Sequence, residues 1–158
     1  MKPYFTTKER QEELLEVLES WVGTPHMHLV AVKGLGADCA LFVWEAMKES
    51  GGVKSIKIDL PRKHGHIDYP QDRALHSTEE VLLKALRSVS GLREMPVTTR
   101  PMNGDICCYQ FGNSTAHLAV FYEGKIYHAL TTREVHHTTF SEKKYMTRLT
   151  AIFRVMEE

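Results

Sequence analysis

The sequence predicts an α+β domain, with helices in the first half of the chain and an antiparallel sheet in the second. Before residue 92, apolar residues recur at helical spacing between capping residues. From residue 97 onward, apolar and polar residues alternate and β-forming residues dominate. Helices followed by strands are typical of α+β domains. Because 158 residues are about the size of one domain, we expect a single domain over residues 1–158.

The composition narrows the classes of function. Twenty basic and twenty acidic residues give a formal net charge of zero, whereas surfaces for nucleic acid or anionic membranes need a basic excess. No run approaches the roughly 18 apolar residues that cross a bilayer. The first seven residues lack the apolar segment of a signal peptide. We therefore expect a soluble protein made in the cytoplasm, with no nucleic-acid partner and no membrane insertion.

Three amphipathic helices are expected, each between capping and terminating residues. The first opens at Thr6 or Thr7, and Thr6 and Glu9 have the spacing of a capping box. The third opens at Ser77, which has the same spacing to Glu80. The expected helices end near Gly23, at Gly51-Gly52 and at Gly91.

The remaining elements are short strands and one long loop. Residues 53–58 are expected as a short strand, and residues 60–76 as an irregular loop able to wall a cleft. Glu123-Gly124 is expected as the two-residue loop of a β-hairpin. Five strands are expected in the second half, at Asp105–Phe111, Ala116–Tyr122, Lys125–Leu130, Val135–Phe140 and Leu149–Met156.

Cys39 is the candidate nucleophile, because it is the first residue of the expected second helix and Asp38 precedes it as N-cap. A thiol at the positive end of a helix dipole, near unpaired backbone N–H groups, has a lowered pKa and favours the nucleophilic thiolate. The alternative for a lone cysteine at a helix start is a small buried residue. Cys107 and Cys108 lie within an expected strand and are interpreted as packing residues; three cysteines, two of them adjacent, do not indicate a disulfide framework.

His117 and His128 are the candidate base and its orienting partner. If Tyr122 pairs with Lys125 across the hairpin loop, His117 and His128 become diagonal neighbours on one face of the sheet, within side-chain reach. A thiol nucleophile needs such a base, and the base needs a third group to orient it. Each histidine alone is more often a satisfied core or surface residue, and a register slip of one residue would separate the two.

The histidine dyads raise the question of a metal site. They occur at His26-x-His28, His64-x-His66 and His136-His137. Zinc sites need three or four converging ligands, and neither a CxxC pair nor an HExxH motif is present, so we expect no metal and no cofactor. His26 precedes Cys39 closely enough to line the same cleft.

Five motifs, in order along residues 9–156, resemble the NlpC/p60 family of papain-like cysteine peptidases, which act on bacterial cell-wall peptides. The spacing of the first two motifs and the closing segment Arg148–Arg154 are similar to the branch of the family found in tailed phages and gene-transfer particles. The motifs are Trp21-Val22-Gly23-Thr24-Pro25, Gly34-x-Gly36-x-Asp38-Cys39, Gly104-Asp105-Ile106, His117-Leu118-Ala119-Val120 and Tyr127-His128-Ala129.

The resemblance implies a fold and a mechanism. The fold would be a helical lobe that carries the nucleophile, packed on a five- to six-stranded antiparallel sheet. Cys39 would be the nucleophile, His117 the general base and His128 the residue that orients it. The substrate would be a peptidoglycan stem peptide, cut between D-glutamate and a diamino acid. Phage-tail or other particle proteins would be partners, and the protein would reach the cell wall as part of that particle.

The chain departs from the family pattern beside the nucleophile. Asp38-Cys39 is followed by Ala40-Leu41 where the family commonly has Ser-Gly or a similarly small pair, and His26 stands where the family usually has a tyrosine. His26 and Asp38 are therefore assigned to the substrate and oxyanion side of the site. Two alternatives remain: a non-catalytic tail-tip or binding module that retains the fold, and a related amidase or acyltransferase.

Overall fold

The structure is a computed structural model that describes residues 2–53, 62–63, 66–67, 80–130 and 133–157. Within these residues the chain forms four α-helices and ten β-strands. The helices are α1 (Lys8–Trp21), α2 (Cys39–Glu49), α3 (Val81–Arg87) and α4 (Lys143–Met146). The strands are β1 (Ala31–Val32), β2 (Gly36–Ala37), β3 (Arg62–Lys63), β4 (His66–Ile67), β5 (Leu92–Met95), β6 (Ile106–Gln110), β7 (Thr115–Tyr122), β8 (Lys125–Ala129), β9 (Val135–Thr139) and β10 (Leu149–Val155).

The main sheet confirms the predicted α+β class. It has six antiparallel strands in the order β5-β10-β6-β7-β8-β9. All five expected strands are present, with each boundary within one residue of its prediction. The sixth strand, β5, agrees with the five- to six-stranded sheet that the resemblance implies, although the residue pattern itself indicates no strand there. It is a four-residue edge strand with two exposed charged residues, Arg93 and Glu94, at its centre, so it carries no clear alternation of its own.

The first helix begins one residue later than its capping-box spacing suggested. The Thr7 hydroxyl accepts a hydrogen bond from the Arg10 backbone N–H at 3.2 Å, so Thr7 is the N-cap. The capping box of Thr6 and Glu9 is therefore wrong, and the alternative start at Thr7 is correct. The predicted boundaries of α2 agree with the structure, with Asp38 as N-cap and Gly51 in the left-handed region (φ 79°) just after the helix.

The region between α2 and β5 is described only in part. Helix α3 ends at Arg87, with Ser88 as C-cap, before the expected Gly91, and its expected start at Ser77 lies outside the described residues. Residues 54–58 of the expected strand and most of the 60–76 loop, with His64, also lie outside them. Within that loop, β3 pairs with β4 in an antiparallel ladder.

Both faces of the main sheet are covered. Helices α1, α2 and α3 pack against one face, and Cys108 lies in that core. On the other face a smaller cluster contains Cys107, Tyr109 and Tyr145 of α4. Both cysteines are fully buried although neighbouring strand residues point to opposite faces, because each face has its own apolar cover. Their interpretation as packing residues is confirmed.

A buried ion pair connects the Gly104-Asp105 turn to the closing strand. The Arg154 guanidinium donates two hydrogen bonds to the Asp105 carboxylate, at 3.0 and 2.8 Å, and Asp105 is 1% exposed. Gly104 has φ 92°, and a Cβ there would lie 2.2 Å from the Phe5 ring. Gly104 and Asp105 also exchange backbone hydrogen bonds with Phe121 of β7, so these motif residues support the fold of the sheet. Among the described helices, none has the length and apolar composition to cross a membrane.

Candidate active site

Cys39 is the first residue of α2, and Asp38 fixes its position. The Asp38 Oδ1 atom accepts hydrogen bonds from the backbone N–H groups of Ala40, at 3.0 Å, and Leu41, at 3.4 Å. The half-buried Cys39 thiol donates a weak hydrogen bond to the Ala116 carbonyl oxygen, with Sγ and O 3.6 Å apart. Since Ala116 immediately precedes His117 in β7, the thiol lies beside the strand that carries the candidate base.

The second carboxylate oxygen of Asp38 holds the loop before the nucleophile. Oδ2 accepts a hydrogen bond from the Leu29 backbone N–H at 3.1 Å and lies 3.1 Å from His28 Nδ1. Leu29 has φ 62°, a left-handed conformation that is strained for leucine and that these contacts stabilise. A carboxylate repels an oxyanion, so Asp38 cannot itself stabilise one. It can contribute to the oxyanion side of the site only by positioning the backbone N–H groups at the start of α2.

Residues 23–27 join the nucleophile loop to the sheet. On one side, backbone hydrogen bonds connect this segment to the start of β9: Gly23 N–H to the Val135 carbonyl, Val135 N–H to the Thr24 carbonyl and His26 N–H to the Arg133 carbonyl, each at 2.8 Å.

On its other side, the same segment is bonded to Ala37, two residues before the nucleophile. The Ala37 N–H donates to the Pro25 carbonyl at 2.8 Å, and the Met27 N–H donates to the Ala37 carbonyl at 3.1 Å. We name residues 23–27 the bridging segment, because they lie between β2 and β9. The Cys39 loop is thus attached through the main chain to the edge of the histidine-bearing sheet.

The two glycines before Asp38 have distinct geometric functions. Leu35 N–H donates to the Val32 carbonyl at 2.9 Å, closing the turn between β1 and β2, and Gly34 adopts φ 82° within it. A Cβ at Gly36 would lie 2.8 Å from the Met27 Cβ atom. Only glycine therefore permits the close approach of β2 to the bridging segment.

His117 and His128 form a hydrogen-bonded pair, as the hairpin register predicted. Tyr122 pairs with Lys125, and the His117 Nε2 atom lies 2.7 Å from His128 Nδ1. His117 is 7% exposed and His128 is 0% exposed. Phe111 packs edge-on against His117, with ring centroids 5.9 Å apart. Since Nε2 of His117 bonds to His128, Nδ1 is the ring nitrogen that remains for another partner.

Both histidines are neutral at pH 7. Burial lowers the pKa of His117 to about 4, and the charges of His26 and Lys144 lower it further while Asp38 raises it. Burial lowers the pKa of His128 to about 2, with smaller contributions from His117 and His136. Each ring therefore carries one N–H and one lone pair, so His117 can accept a proton.

His26 lies beside Ala37, two residues before Cys39, in an isolated parallel bridge. It is half-buried, and burial is the main cause that lowers its pKa, opposed by the negative charge of Asp38. His26 and Asp38 thus lie at the start of α2, and His117 directly follows Ala116, which contacts the Cys39 thiol.

Thr138 and Tyr145 are polar neighbours of the histidine pair that the sequence did not indicate. Thr138 Oγ1 lies 3.0 Å from His128 Nε2, and the Tyr145 ring packs edge-on against His128 at 5.2 Å. The pairing of His128 with His136 makes Thr138 its diagonal neighbour across β8 and β9. The sequence between these strands contains no turn motif that would give their register.

The described histidine dyads do not gather into a metal site. In the part of the chain that the structure covers, no three His, Cys, Asp or Glu side chains are placed to hold a metal ion. His28 is paired with Asp38, and His136 contacts the Glu134 carbonyl through Nδ1. His137 is exposed on β9 and packs against the Tyr127 ring.

No family model matches the chain, and no curated protein sequence does. Solved structures do match. An NlpC/p60-family protein of Staphylococcus aureus subsp. aureus Mu50, described as similar to lipoprotein, has a TM-score of 0.63 at 16% identity; the alignment covers 99% of this chain and 44% of that one. A family protein of Bacillus cereus ATCC 10987 has a TM-score of 0.59 at 18% identity, covering 93% and 40%.

The NlpC/p60 domain of the peptidoglycan hydrolase SagA has a TM-score of 0.55 at 16% identity, covering 93% of this chain and 98% of that domain. The chain spans less than half the length of the first two proteins. All three neighbours share the helical layer and antiparallel sheet predicted for this sequence. The NlpC/p60 fold is therefore confirmed.

Proposed function

We propose that the chain belongs to the NlpC/p60 family and is a cysteine peptidase of peptidoglycan stem peptides. The observation that carries this proposal is the site itself. A thiol at the start of a helix lies beside the strand of a buried, neutral histidine, and a second histidine holds that base through its far nitrogen. Nucleophile, base and orienter are the three parts that acyl transfer by a thiol requires.

In the first step, the Cys39 Sγ proton passes to Nδ1 of His117, and the thiolate attacks the carbonyl carbon of the scissile amide. The new C–S bond forms as the carbonyl π electrons move to oxygen. The Cys39 backbone N–H, at the positive end of α2, stabilises this oxyanion. The half-buried His26 ring, on the segment that pairs with Ala37, contributes a second N–H donor.

In the second step, the oxyanion collapses, the C–N bond breaks and His117 gives its proton to the leaving amine. Water then attacks the resulting thioester while His117 takes one of its protons; the C–S bond breaks, the acyl group leaves as a carboxylic acid, and His117 returns the proton to the Cys39 sulfur. During both steps His128 holds the ring of His117 in one orientation. His117 begins and ends each half-reaction neutral, in agreement with the lowered pKa of the buried ring.

The proposed substrate is the bond between D-glutamate and a diamino acid. Support comes from the motif resemblance and from the fold shared with the peptidoglycan hydrolase SagA. The test is digestion of purified sacculi and of a defined L-Ala-γ-D-Glu-diaminopimelate peptide, with products identified by mass spectrometry. A new free amine on the diamino acid supports the proposal. Cleavage or transfer at another linkage would instead indicate the amidase or acyltransferase alternative.

The matched variants are Cys39→Ala, His117→Asn and, as control, His137→Asn on the exposed face of β9. We expect Cys39→Ala and His117→Asn to lose hydrolysis while they stay folded, and His137→Asn to keep it. Undiminished hydrolysis by Cys39→Ala would refute the mechanism. Wild-type protein that binds sacculi but releases no product would favour the non-catalytic binding module.

We also propose that the protein acts within a phage tail or a similar particle and reaches the cell wall with it. The support is sequence alone: the spacing of the first two motifs and the closing segment Arg148–Arg154. The test is mass spectrometry of particles purified from a bacterial culture whose genome encodes this protein. Finding peptides of the protein in the soluble fraction but not in the particles would contradict the proposal.

A further inference from the structure

We propose that Thr138 is a positioning residue that fixes the tautomers of His128 and His117, so that Nδ1 of His117 is the basic nitrogen facing the nucleophile. The inference rests on the proposed function for its catalytic meaning. Its physical content, the direction of a hydrogen-bond chain, belongs to the fold and can be measured without any substrate.

The chain of contacts crosses three adjacent strands. His117 on β7 bonds through Nε2 to Nδ1 of His128 on β8, at 2.7 Å. His128 bonds through Nε2 to Oγ1 of Thr138 on β9, at 3.0 Å. Both ring nitrogens of the fully buried His128 are thus used, one on each side. Because a neutral imidazole has one N–H and one lone pair, the direction of one bond determines the direction of the other.

The two possible directions have opposite consequences for catalysis. If Thr138 donates to His128 Nε2, then His128 Nδ1–H donates to His117 Nε2, and the proton of His117 is on Nδ1. That tautomer cannot take the thiol proton at Nδ1. If Thr138 instead accepts from His128 Nε2–H, His128 Nδ1 accepts from His117 Nε2–H, and His117 Nδ1 carries the lone pair that the reaction needs.

Tyr145 is a neighbour of the same hydroxyl. Burial raises the pKa of Tyr145, and the Thr138 side chain partly offsets this rise, which agrees with a Thr138 hydroxyl that donates to the phenol oxygen. A hydroxyl has a single hydrogen, so a Thr138 hydroxyl that donates to Tyr145 must accept from His128. The Tyr145 ring, packed edge-on at 5.2 Å, also restrains the His128 ring.

The surroundings keep this chain neutral. The charged groups that reach His128 are His117, His136 and Lys144, and all three lower its pKa in the same direction as burial. His117 is reached by His26, Asp38, Lys144 and His136. Because His128 is neutral, it affects His117 through the direction of the hydrogen bond between the two rings. Thr138 provides a neutral acceptor for the Nε2–H group of His128.

The test compares Thr138→Val, which keeps the shape and loses the hydroxyl, with Thr138→Ser, which keeps the hydroxyl. Thr139→Val, an exposed neighbour on the opposite face of β9, is the matched control. We expect Thr138→Val to lower kcat about tenfold, as for loss of one hydrogen bond, with KM unchanged, and Thr138→Ser to restore most of it. Tyr145→Phe, which releases the Thr138 hydroxyl to rotate, should give a smaller decrease.

The decisive readout is the tautomer of each ring, from ¹⁵N chemical shifts of histidine-labelled protein at pH 7. We expect Nε2–H on both His117 and His128 in the wild type, and a shifted mixture in Thr138→Val but not in Thr139→Val. Wild-type His117 carrying its proton on Nδ1, or unchanged tautomers and kcat in Thr138→Val, would overturn the inference. A wild type with the expected tautomers and no hydrolysis would refute the proposed function and leave the positioning role supported.

Discussion

His117 Nε2 lies 2.7 Å from His128 Nδ1, and this bond joins two buried imidazole rings from adjacent strands into one unit. The unit is neutral because burial lowers both pKa values, to about 4 and about 2. Buried neutral histidines link the stability of the fold to pH.

We expect the free energy of unfolding to fall as the pH drops from 6.5 to 5. The unfolded histidines have pKa values near 6.5 and the folded ones lie lower, so in this range the unfolded state binds more protons and acid favours it. Each histidine contributes up to about 1.4 kcal/mol per pH unit. Urea unfolding at several pH values measures the slope. His128→Gln should reduce it, and a flat profile for the wild type would mean that the folded pair is protonated.

A second prediction concerns thiol reactivity. Burial raises the pKa of both Cys107 and Cys108, whereas Cys39 is half-buried at a helix start. In native protein at pH 6, we expect iodoacetamide to label Cys39 rapidly and the other two cysteines not at all. In denaturant at higher pH, we expect it to label all three cysteines. Peptide mass spectrometry locates the label. Slow labelling of Cys39, at the rate of an ordinary thiol, would favour the non-catalytic module.

Asp38→Ala should destabilise the fold by about 2–3 kcal/mol, because it removes the cap of α2 and leaves the Leu29 N–H without its acceptor. Activity should fall as well, since Cys39 follows directly. Glu142→Ala is the control, because Glu142 is at the N-cap of α4 but makes no capping hydrogen bond. Thermal and urea unfolding measure the stability of the two variants. An equal loss of stability in both would contradict the role of Asp38 in stabilising the start of α2.

Arg154→Ala should destabilise the fold by about 3–5 kcal/mol, because it leaves the buried Asp105 carboxylate unpaired. Arg87 forms a similar two-point bond with Glu94, but both side chains are exposed, so Arg87→Ala should cost under about 1 kcal/mol. Below its unfolding temperature, Arg154→Ala should keep the wild-type kcat. A reduced kcat in folded Arg154→Ala would mean that this pair also supports the site.

The predictable parts of the fold and site have local signals. Asp38 and Cys39 define a helix start within two residues, and the Glu123-Gly124 loop determines which histidines face each other. Both predictions depend only on neighbours in sequence. The Thr6 capping box failed because two threonines were adjacent, and local spacing could not choose between them.

The missing parts are contacts between distant segments. Strand β5 is defined by its pairing with β10, about sixty residues later, and its own sequence is too short and charged to indicate a strand. Thr138 approaches His128 only once the β8–β9 register is known. The backbone hydrogen bonds of the bridging segment join residues that are distant in sequence, so the motifs that contain Gly23 and Gly36 do not name their partners.

The bridging segment determines how tolerant the site is to sequence change. Its hydrogen bonds to Ala37 on one side and to Arg133 and Val135 on the other are made by backbone atoms. Replacing the side chains at positions 26, 40 and 41 leaves these bonds in place, so these positions can diverge while helix and sheet keep their alignment; Gly36, which must approach Met27 closely, cannot. Only proline removes a backbone donor, and His26→Pro would cut the bond to Arg133. The position of the Cys39 loop beside the histidine-bearing sheet thus depends on the backbone of the bridging segment.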